Sequence, residues 1–136
     1  MILEWFVGFH QPRLRNLKGR IDPRLWLGHC EIWGYTEDQT WLFLDPQGRG
    51  TAIRVMHRYD DVRDQLDARS LLCHTILKLP GTDPAFGLPL HGMLTCASIC
   101  GHMLGHRALL PAVLRRKLLA QGAEVIKHES QGRFQG

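Results

Sequence analysis

Three residues of this chain carry side chains that could form one reactive centre: Cys96, His29 and Asp45. A cysteine nucleophile needs a base within hydrogen-bond reach, and a third polar group usually orients that base. The chain supplies all three types, but it places them far apart in the sequence. We therefore predict a Cys–His–Asp constellation, and we ask which elements could bring its members together.

Cys96 lies where an apolar helical segment is predicted to begin. A loop rich in glycine and proline, residues 80–89, ends shortly before it, and Thr95 is a suitable N-cap. The first turn of a helix presents orphan backbone N–H groups and the positive end of the helix dipole. We expect this position to lower the pKa of Cys96 and to let the N–H groups bind an oxyanion.

His29 and Asp45 lie at the outer ends of two strands that are predicted to be neighbours. His29 is near the start of the strand 28–35, and Asp45 ends the strand 40–45. A short polar turn at residues 36–39 joins them, so the start of one strand lies beside the end of the other. This arrangement predicts a His29–Asp45 couple at one edge of the sheet.

Two other residues compete for roles at this centre. His91 is the rival base, because it lies in the loop just ahead of Cys96. Cys30 adjoins His29, but alternation along the strand points its side chain to the opposite face of the sheet. We therefore keep His91 as an alternative base and do not assign Cys30 to the centre.

The remaining cysteines have structural interpretations. Cys73 lies among apolar residues and is expected in the core, and Cys100, one turn after Cys96, is expected to pack beneath the helix. Cys96, Cys100, His102 and His106 together also permit a zinc-site hypothesis. The spacing argues against it, because His102 is rotated well away from both cysteines. We predict neither a metal nor another cofactor.

The order of predicted elements indicates the α+β fold class. Strands are predicted at residues 1–9, 28–35, 40–45, 51–56, 70–79 and 123–128, and helices at 59–69, 96–105 and 111–121. Aromatic and β-branched residues with short turns between them are typical of an antiparallel meander. We predict one antiparallel sheet with helices packed on it.

The length of 136 residues fits a single domain spanning 1–136. We expect its core at residues 25–128 and a frayed, polar tail at 130–136. Pro46 is expected to end the strand that carries Asp45, because proline cannot donate to a ladder of backbone hydrogen bonds.

Composition and charge exclude several classes of protein. The contents of 44% hydrophobic and 22% charged residues are ordinary for a globular domain, and the net charge of +4 comes from scattered basic residues. A nucleic-acid partner is therefore not expected. Four cysteines are too few for a disulfide scaffold and favour a reducing compartment. With no apolar run long enough for a membrane span and no signal-peptide pattern, we expect a protein that is cytoplasmic as synthesised.

The order of these motifs resembles the papain-like fold. The resemblance rests on three short segments, which are Gly28-His29, Leu44-Asp45-Pro46 and Leu94-Thr95-Cys96. Because the histidine precedes the cysteine, the chain is most similar to the circularly permuted branch of the NlpC-type cysteine peptidases, an order that lecithin retinol acyltransferase-like proteins share. Small uncharacterised proteins of phages and bacteria also look similar. The resemblance covers residues 25–120.

The resemblance implies a role for each candidate residue. Cys96 would be the nucleophile, His29 the base and Asp45 the residue that orients the imidazole. Members of the family cleave peptide bonds in cell-wall peptides, or they hydrolyse or transfer acyl groups. The expected function is therefore a cysteine hydrolase, and the expected partner is a peptide or acyl substrate such as peptidoglycan.

A non-enzymatic role is the alternative hypothesis. A small protein of this fold could serve as an assembly component of a phage virion or tail, with phage structural proteins as partners and the virion as its location. The tryptophans could anchor such an interface, since aromatic residues are enriched there. They are Trp5, Trp26, Trp33 and Trp41. Tryptophan at strand positions is, however, more typical of a core.

Overall fold

The described residues form an antiparallel sheet with three helices, which confirms the predicted α+β class. The computed structural model describes residues 1–10, 18–20, 28–47, 50–81, 92 and 94–128. The strands are β1 (Ile2–His10), β2 (His29–Thr36), β3 (Trp41–Gln47), β4 (Gly50–Met56), β5 (Cys73–Pro80) and β6 (Glu124–His128), and the helices are α1 (Tyr59–Leu72), α2 (Cys96–Met103) and α3 (Pro111–Ala120).

The strands lie in the order β4-β3-β2-β1-β5-β6, and each pair of neighbours is antiparallel. β1 is therefore a central strand, with β2 on one side and β5 on the other. Trp5 and Val7 of this strand are fully buried. The expected core of 25–128 was too narrow, because the first strand supplies apolar side chains to the middle of the sheet.

Helices cover both faces of the sheet. On one face, α2 and α3 pack on a large apolar cluster that includes Cys30 and Ile32 of β2. On the other face, α1 packs on a smaller cluster that includes Trp33 and Phe43. Because neighbouring residues of a strand point to opposite faces, Cys30 and Ile32 face α2 while Trp33 faces α1.

The tryptophans in the described ranges serve mainly the interior. Trp5 is fully buried and Trp33 is 2% exposed. Trp41 is half-buried and stacks beside Phe43, whereas Trp26 lies outside the described residues. These positions support the core interpretation of tryptophan more than an exposed aromatic interface.

Pro46 does not end β3, contrary to the sequence prediction. The strand continues to Gln47, and Pro46 lies opposite Thr51 of β4. β3 pairs with β2 only as far as Leu44, so one edge of β3 has no strand partner at Pro46. The missing N–H of Pro46 therefore costs no ladder hydrogen bond, and the strand can run through the proline.

Residues 70–72 were also assigned wrongly, because they extend α1 rather than begin β5. Leu71 and Leu72 gave this stretch an apolar character that is typical of a strand. They are in fact exposed on the last turn of the helix, at 86% and 59%. The helix reaches this far because buried Arg69 holds its C-terminal part against the sheet, where it forms a salt bridge with Glu31.

The bounds of α2 and α3 agree with the prediction to within two residues. The expected frayed tail at 130–136 lies outside the described residues. Within the part of the chain that the structure describes, no helix combines the length and apolar character needed to cross a membrane.

Candidate active site

Cys96 is the first residue of α2, and the predicted cap fixes this start. The Thr95 hydroxyl accepts a hydrogen bond from the Ser98 N–H at 3.0 Å, and the Ser98 hydroxyl accepts one from the Thr95 N–H at 2.7 Å. This reciprocal capping box satisfies two backbone donors. Ala97 and Cys100, both fully buried, hold the helix on the sheet. The backbone of Cys96 is thereby fixed, while its side chain stays half-buried.

His29 and Asp45 are in direct contact, as the predicted hairpin required. The Nε2 atom of His29 lies 2.5 Å from Oδ1 of Asp45. The antiparallel pairing of β2 with β3 runs from Tyr35 opposite Trp41 to Ile32 opposite Leu44, so the start of β2 lies beside the end of β3. The two side chains are 28% and 24% exposed, so the couple is only partly shielded from solvent.

The Cys96 thiol also lies close enough to the imidazole of His29 for each group to shift the pKa of the other. Because Nε2 faces Asp45, Nδ1 is the ring nitrogen that remains for the sulfur. His29 is the first residue of β2 and follows Gly28, whose φ of 79° is a left-handed value that favours glycine. From this position at the end of the strand, the imidazole joins the sulfur on α2 to the carboxylate on β3.

The contact with Asp45 determines the charge of the imidazole. Burial lowers the pKa of His29, but the hydrogen bonds with Asp45 and Cys96 outweigh burial and raise the pKa to about 10. Burial raises the pKa of the Asp45 carboxyl, but the hydrogen bond and charge of His29 reverse this effect and leave the pKa below its usual value. At neutral pH the couple is therefore an imidazolium–carboxylate pair.

The pKa of Cys96 is raised, whereas its place at the start of a helix predicted a lowered pKa. The largest cause is the hydrogen bond with the Cys30 thiol, and burial acts in the same direction. The hydrogen bond with His29 lowers the pKa but offsets only part of this rise. Both the second thiol and the loss of water disfavour a buried thiolate, so they outweigh the helix terminus.

Cys30 is the neighbour of the site that the sequence analysis missed. Cys30 belongs with Cys100 to the apolar cluster against which Cys96 packs, and the Cys30 thiol raises the pKa of Cys96; Cys30 and Cys100 are both fully buried. Alternation does turn Cys30 away from the face of Trp33, but that takes it to the face that α2 covers. The signal was present in the strand pattern, although the sequence did not show which face the helix would occupy.

The other cysteines lie as predicted. Cys100 packs beneath α2, with its sulfur 3.8 Å from the carbonyl oxygen of Cys30. Cys73 is 1% exposed and belongs to the apolar cluster under α1, on the opposite face of the sheet. Cys73 is therefore a natural reference thiol, since it is buried and distant from α2.

A second group of polar residues supports His29 from the other side. The ring of His10 meets the ring of His29 edge-on, with 5.0 Å between centroids. The Nε2 atom of His10 lies 2.7 Å from a carboxylate oxygen of Glu31, and the other oxygen of Glu31 lies 2.6 Å from Nε of Arg69. Glu31 and Arg69 are both buried, and the guanidinium of Arg69 lies 4.6 Å from the ring centre of Phe43. This network restricts the position of the His29 ring.

Three residues of this network form a group that could hold a metal ion, as found among the described residues. Ligand atoms of His10, His29 and Glu31 all lie within 4.8 Å of one another. Each of these side chains already has a protein partner, because Glu31 bonds both His10 and Arg69, and His29 bonds Asp45. A metal ion would have to displace these contacts. We therefore interpret the group as a hydrogen-bond network.

The other histidine candidates lie outside the described residues or away from this centre. His91, the rival base, lies outside the described residues. His106, which belonged to the zinc hypothesis, follows α2 at its far end and bonds the side chain of Gln121 at 2.5 Å. Among the described residues, the base in contact with Cys96 is His29.

No family model, curated protein or solved structure matches this chain. The interpretation of the site therefore depends on the contacts of Cys96, His29 and Asp45 themselves.

The His29–Asp45 pair should make the stability of the protein depend on pH. Because the pKa of His29 is raised on folding, the pair contributes fully below about pH 6.5 as long as Asp45 is ionised, and this contribution is lost as the pH rises through about 10. Asp45→Asn should lower the free energy of unfolding at neutral pH by about 1.5–3 kcal/mol, the usual value of a hydrogen bond to a charged group.

Urea unfolding at neutral pH and near the upper end of this range measures the effect. The stability of Asp45→Asn should fall less with rising pH than that of the wild type. Asp64→Asn, which changes an exposed aspartate on α1, is the matched control and should retain the wild-type dependence. Equal pH dependence in wild type and Asp45→Asn would show that the pair does not form.

Proposed function

We propose that this protein is a cysteine hydrolase of amide or ester bonds, with Cys96 as nucleophile, His29 as base and Asp45 as the residue that orients His29. One observation carries the proposal: the imidazole of His29 contacts the sulfur of Cys96 and the carboxylate of Asp45 together. Nucleophile, base and orienting group in one continuous line are the parts that covalent acyl transfer requires.

The reaction begins with attack of the Cys96 sulfur on the carbonyl carbon of the substrate. The tetrahedral intermediate collapses to a thioester as the amine or alcohol leaves with a proton from His29. A water molecule, activated by neutral His29, then attacks the thioester and releases the acid. Asp45 holds Nε2, so that Nδ1 of His29 faces the sulfur and the leaving group throughout.

The start of α2 would stabilise the charge that develops on the carbonyl oxygen. Thr95 accepts the hydrogen bond from the Ser98 N–H, which leaves the N–H of Cys96 as the donor next to the sulfur in this first turn. A backbone donor fixed by a capping box needs no reorganisation during the reaction. The positive end of the helix dipole acts in the same direction.

The reactive form of the Cys96–His29 pair has lost one proton. At neutral pH, Cys96 is a thiol and His29 an imidazolium, because both pKa values are raised. Loss of one proton yields either a thiol with a neutral imidazole or a thiolate with an imidazolium, and these two forms belong to one coupled titration. The proposed activity therefore increases as the pH rises toward about 10.

The substrate class follows from the family resemblance, and the fold is compatible with it. The permuted papain-like assignment is supported by the order of the chain, with His29 on a sheet strand and Cys96 on a later helix that packs on that sheet. It implies a peptide or acyl substrate, and cell-wall peptides are the class that we propose to test first. Cytoplasmic synthesis followed by action on a cell wall, or location in a virion, is part of this proposal.

An activated ester tests the proposal without knowledge of the natural substrate. With p-nitrophenyl acetate, a cysteine hydrolase should release a burst of nitrophenolate that approaches one molecule per chain, followed by slower turnover. Reversible blocking of thiols with methyl methanethiosulfonate should remove the burst, and dithiothreitol should restore it. A protein with no burst above that of the blocked sample would not be a cysteine hydrolase, and the assembly role would then be preferred.

A further inference from the structure

Three of the four cysteines form a continuous group of thiols at the interface of α2 and β2. Cys30 and Cys100 belong to one apolar cluster against which Cys96 packs, whereas Cys73 lies on the other face of the sheet. Neither the proposed hydrolysis nor the packing of the core requires a second sulfur beside the nucleophile. The proximity of Cys30 to Cys96 therefore indicates a second reaction of these two thiols.

Position and exposure separate the roles of these thiols. Cys96 is half-buried, while Cys30 and Cys100 are fully buried. Small oxidants therefore reach Cys96 first. Cys96 and Cys100 are one turn apart on the same helix, where a direct disulfide is geometrically awkward. Cys30, which projects from the strand beneath, is the thiol placed to react with an oxidised Cys96.

We propose that Cys96 and Cys30 are a reversible dithiol–disulfide pair that hydrogen peroxide oxidises. Peroxide transfers one oxygen to the Cys96 sulfur, which becomes a sulfenic acid, and water is released. The Cys30 sulfur then attacks the Cys96 sulfur and expels the hydroxyl, which leaves as water with the proton of Cys30. Overall, two thiols and one peroxide give one disulfide and two waters.

The fold favours formation of the disulfide between Cys30 and Cys96. Cys96 packs against the cluster that contains Cys30, so the sulfurs have a short way to move to reach a bond length of about 2.05 Å. The Cys100 sulfur lies 3.8 Å from the carbonyl oxygen of Cys30, which shows that α2 lies directly against this strand. Once His29 has lost its own proton as the pH rises, its neutral imidazole can accept the Cys96 thiol proton before peroxide attack.

Oxidation of Cys96 and Cys30 to the disulfide has a consequence for activity, which rests on the proposed function. A Cys96 sulfur held in a disulfide cannot attack a carbonyl, so the oxidised protein should show no acyl-transfer activity. Reduction by a thiol restores both sulfurs and the nucleophile. The modification would also protect Cys96 from irreversible oxidation to the sulfinic acid.

Peptide mass analysis of the full chain under non-reducing conditions tests the disulfide. After peroxide treatment and trapping of free thiols with N-ethylmaleimide, the wild type should contain a tryptic cross-link between residues 25–49 and 79–107. The first peptide contains Cys30, and the second contains both Cys96 and Cys100. Variants of Cys96 and Cys100 are therefore needed to distinguish the two partners.

Cys100→Ser and the matched control Cys73→Ser should both retain the cross-link, whereas Cys96→Ser should lose it. In Cys30→Ser, the sulfenic acid of Cys96 should persist and become labelled by dimedone. A cross-link that survives in Cys96→Ser, or a wild-type protein whose thiols all remain free after peroxide, would overturn the proposal. The assay reads mass alone, so a cross-link without a nitrophenolate burst would refute the hydrolase and leave the disulfide intact.

Discussion

The Cys96→Ala protein is expected to release no burst of nitrophenolate from p-nitrophenyl acetate. Alanine lacks the sulfur that forms the thioester, and no other thiol of the chain combines partial exposure with a contact to His29. The loss should therefore be complete rather than partial, with only the background hydrolysis of the ester remaining. Stopped-flow absorbance at the nitrophenolate band measures the amplitude.

Cys73→Ala and Cys100→Ala are the matched controls for this result. Each removes one buried sulfur, the first beneath α1 and the second one turn after Cys96. Both should fold, with some loss of stability from the small cavity, and both should retain the full burst amplitude. A burst of wild-type amplitude in Cys96→Ala would assign the nucleophile elsewhere.

His29→Gln is expected to reduce the rate of acylation by about 10²- to 10⁴-fold, the usual contribution of a general acid–base residue. Glutamine can still donate a hydrogen bond to Asp45, so the local structure should persist, but it neither accepts the thiol proton nor carries a charge. A burst should still form, because loss of His29 slows hydrolysis of the acyl-enzyme as well as its formation. The same stopped-flow assay reports the rate constant.

The pH profile separates a base from a merely structural histidine. In the wild type, the acylation rate should rise about tenfold for each pH unit until the pair has lost its proton near pH 10. The ionisable side chains near the His29 imidazole and its two partners are Asp45, His10, Cys96 and Cys30. In His29→Gln, the inflection that belongs to the imidazole should be absent. A parallel profile in wild type and variant would contradict the assigned role.

The β2–β3 hairpin and the start of α2 could be predicted from the sequence, because residues close together in the chain determine both. The two strands around residues 36–39 are joined by a short polar turn, and antiparallel geometry then places His29 beside Asp45 without further information. The start of α2 was equally local, because Thr95 and Ser98 form its cap within four residues. These two features place His29 beside Asp45 and Cys96 at the start of α2.

The environment of the sulfur could not be predicted in the same way. Alternation shows that Cys30 and His29 project differently, but the face that α2 covers depends on contacts between residues distant in the chain. That choice sets Cys30 against Cys96 and raises the pKa of the nucleophile. The central position of β1 and the continuation of β3 through Pro46 likewise follow from which strands become neighbours.

The site of acetylation is the most direct measurement of the central claim that Cys96, held by His29, is the nucleophile. Protein quenched in acid during the burst with p-nitrophenyl acetate can be digested and its peptides fragmented in a mass spectrometer. We expect one acetyl group on Cys96 within the peptide 79–107, and much slower appearance of this group in His29→Gln. An acetyl group on Cys30, Cys73 or Cys100, or equal rates of labelling in wild type and His29→Gln, would contradict it.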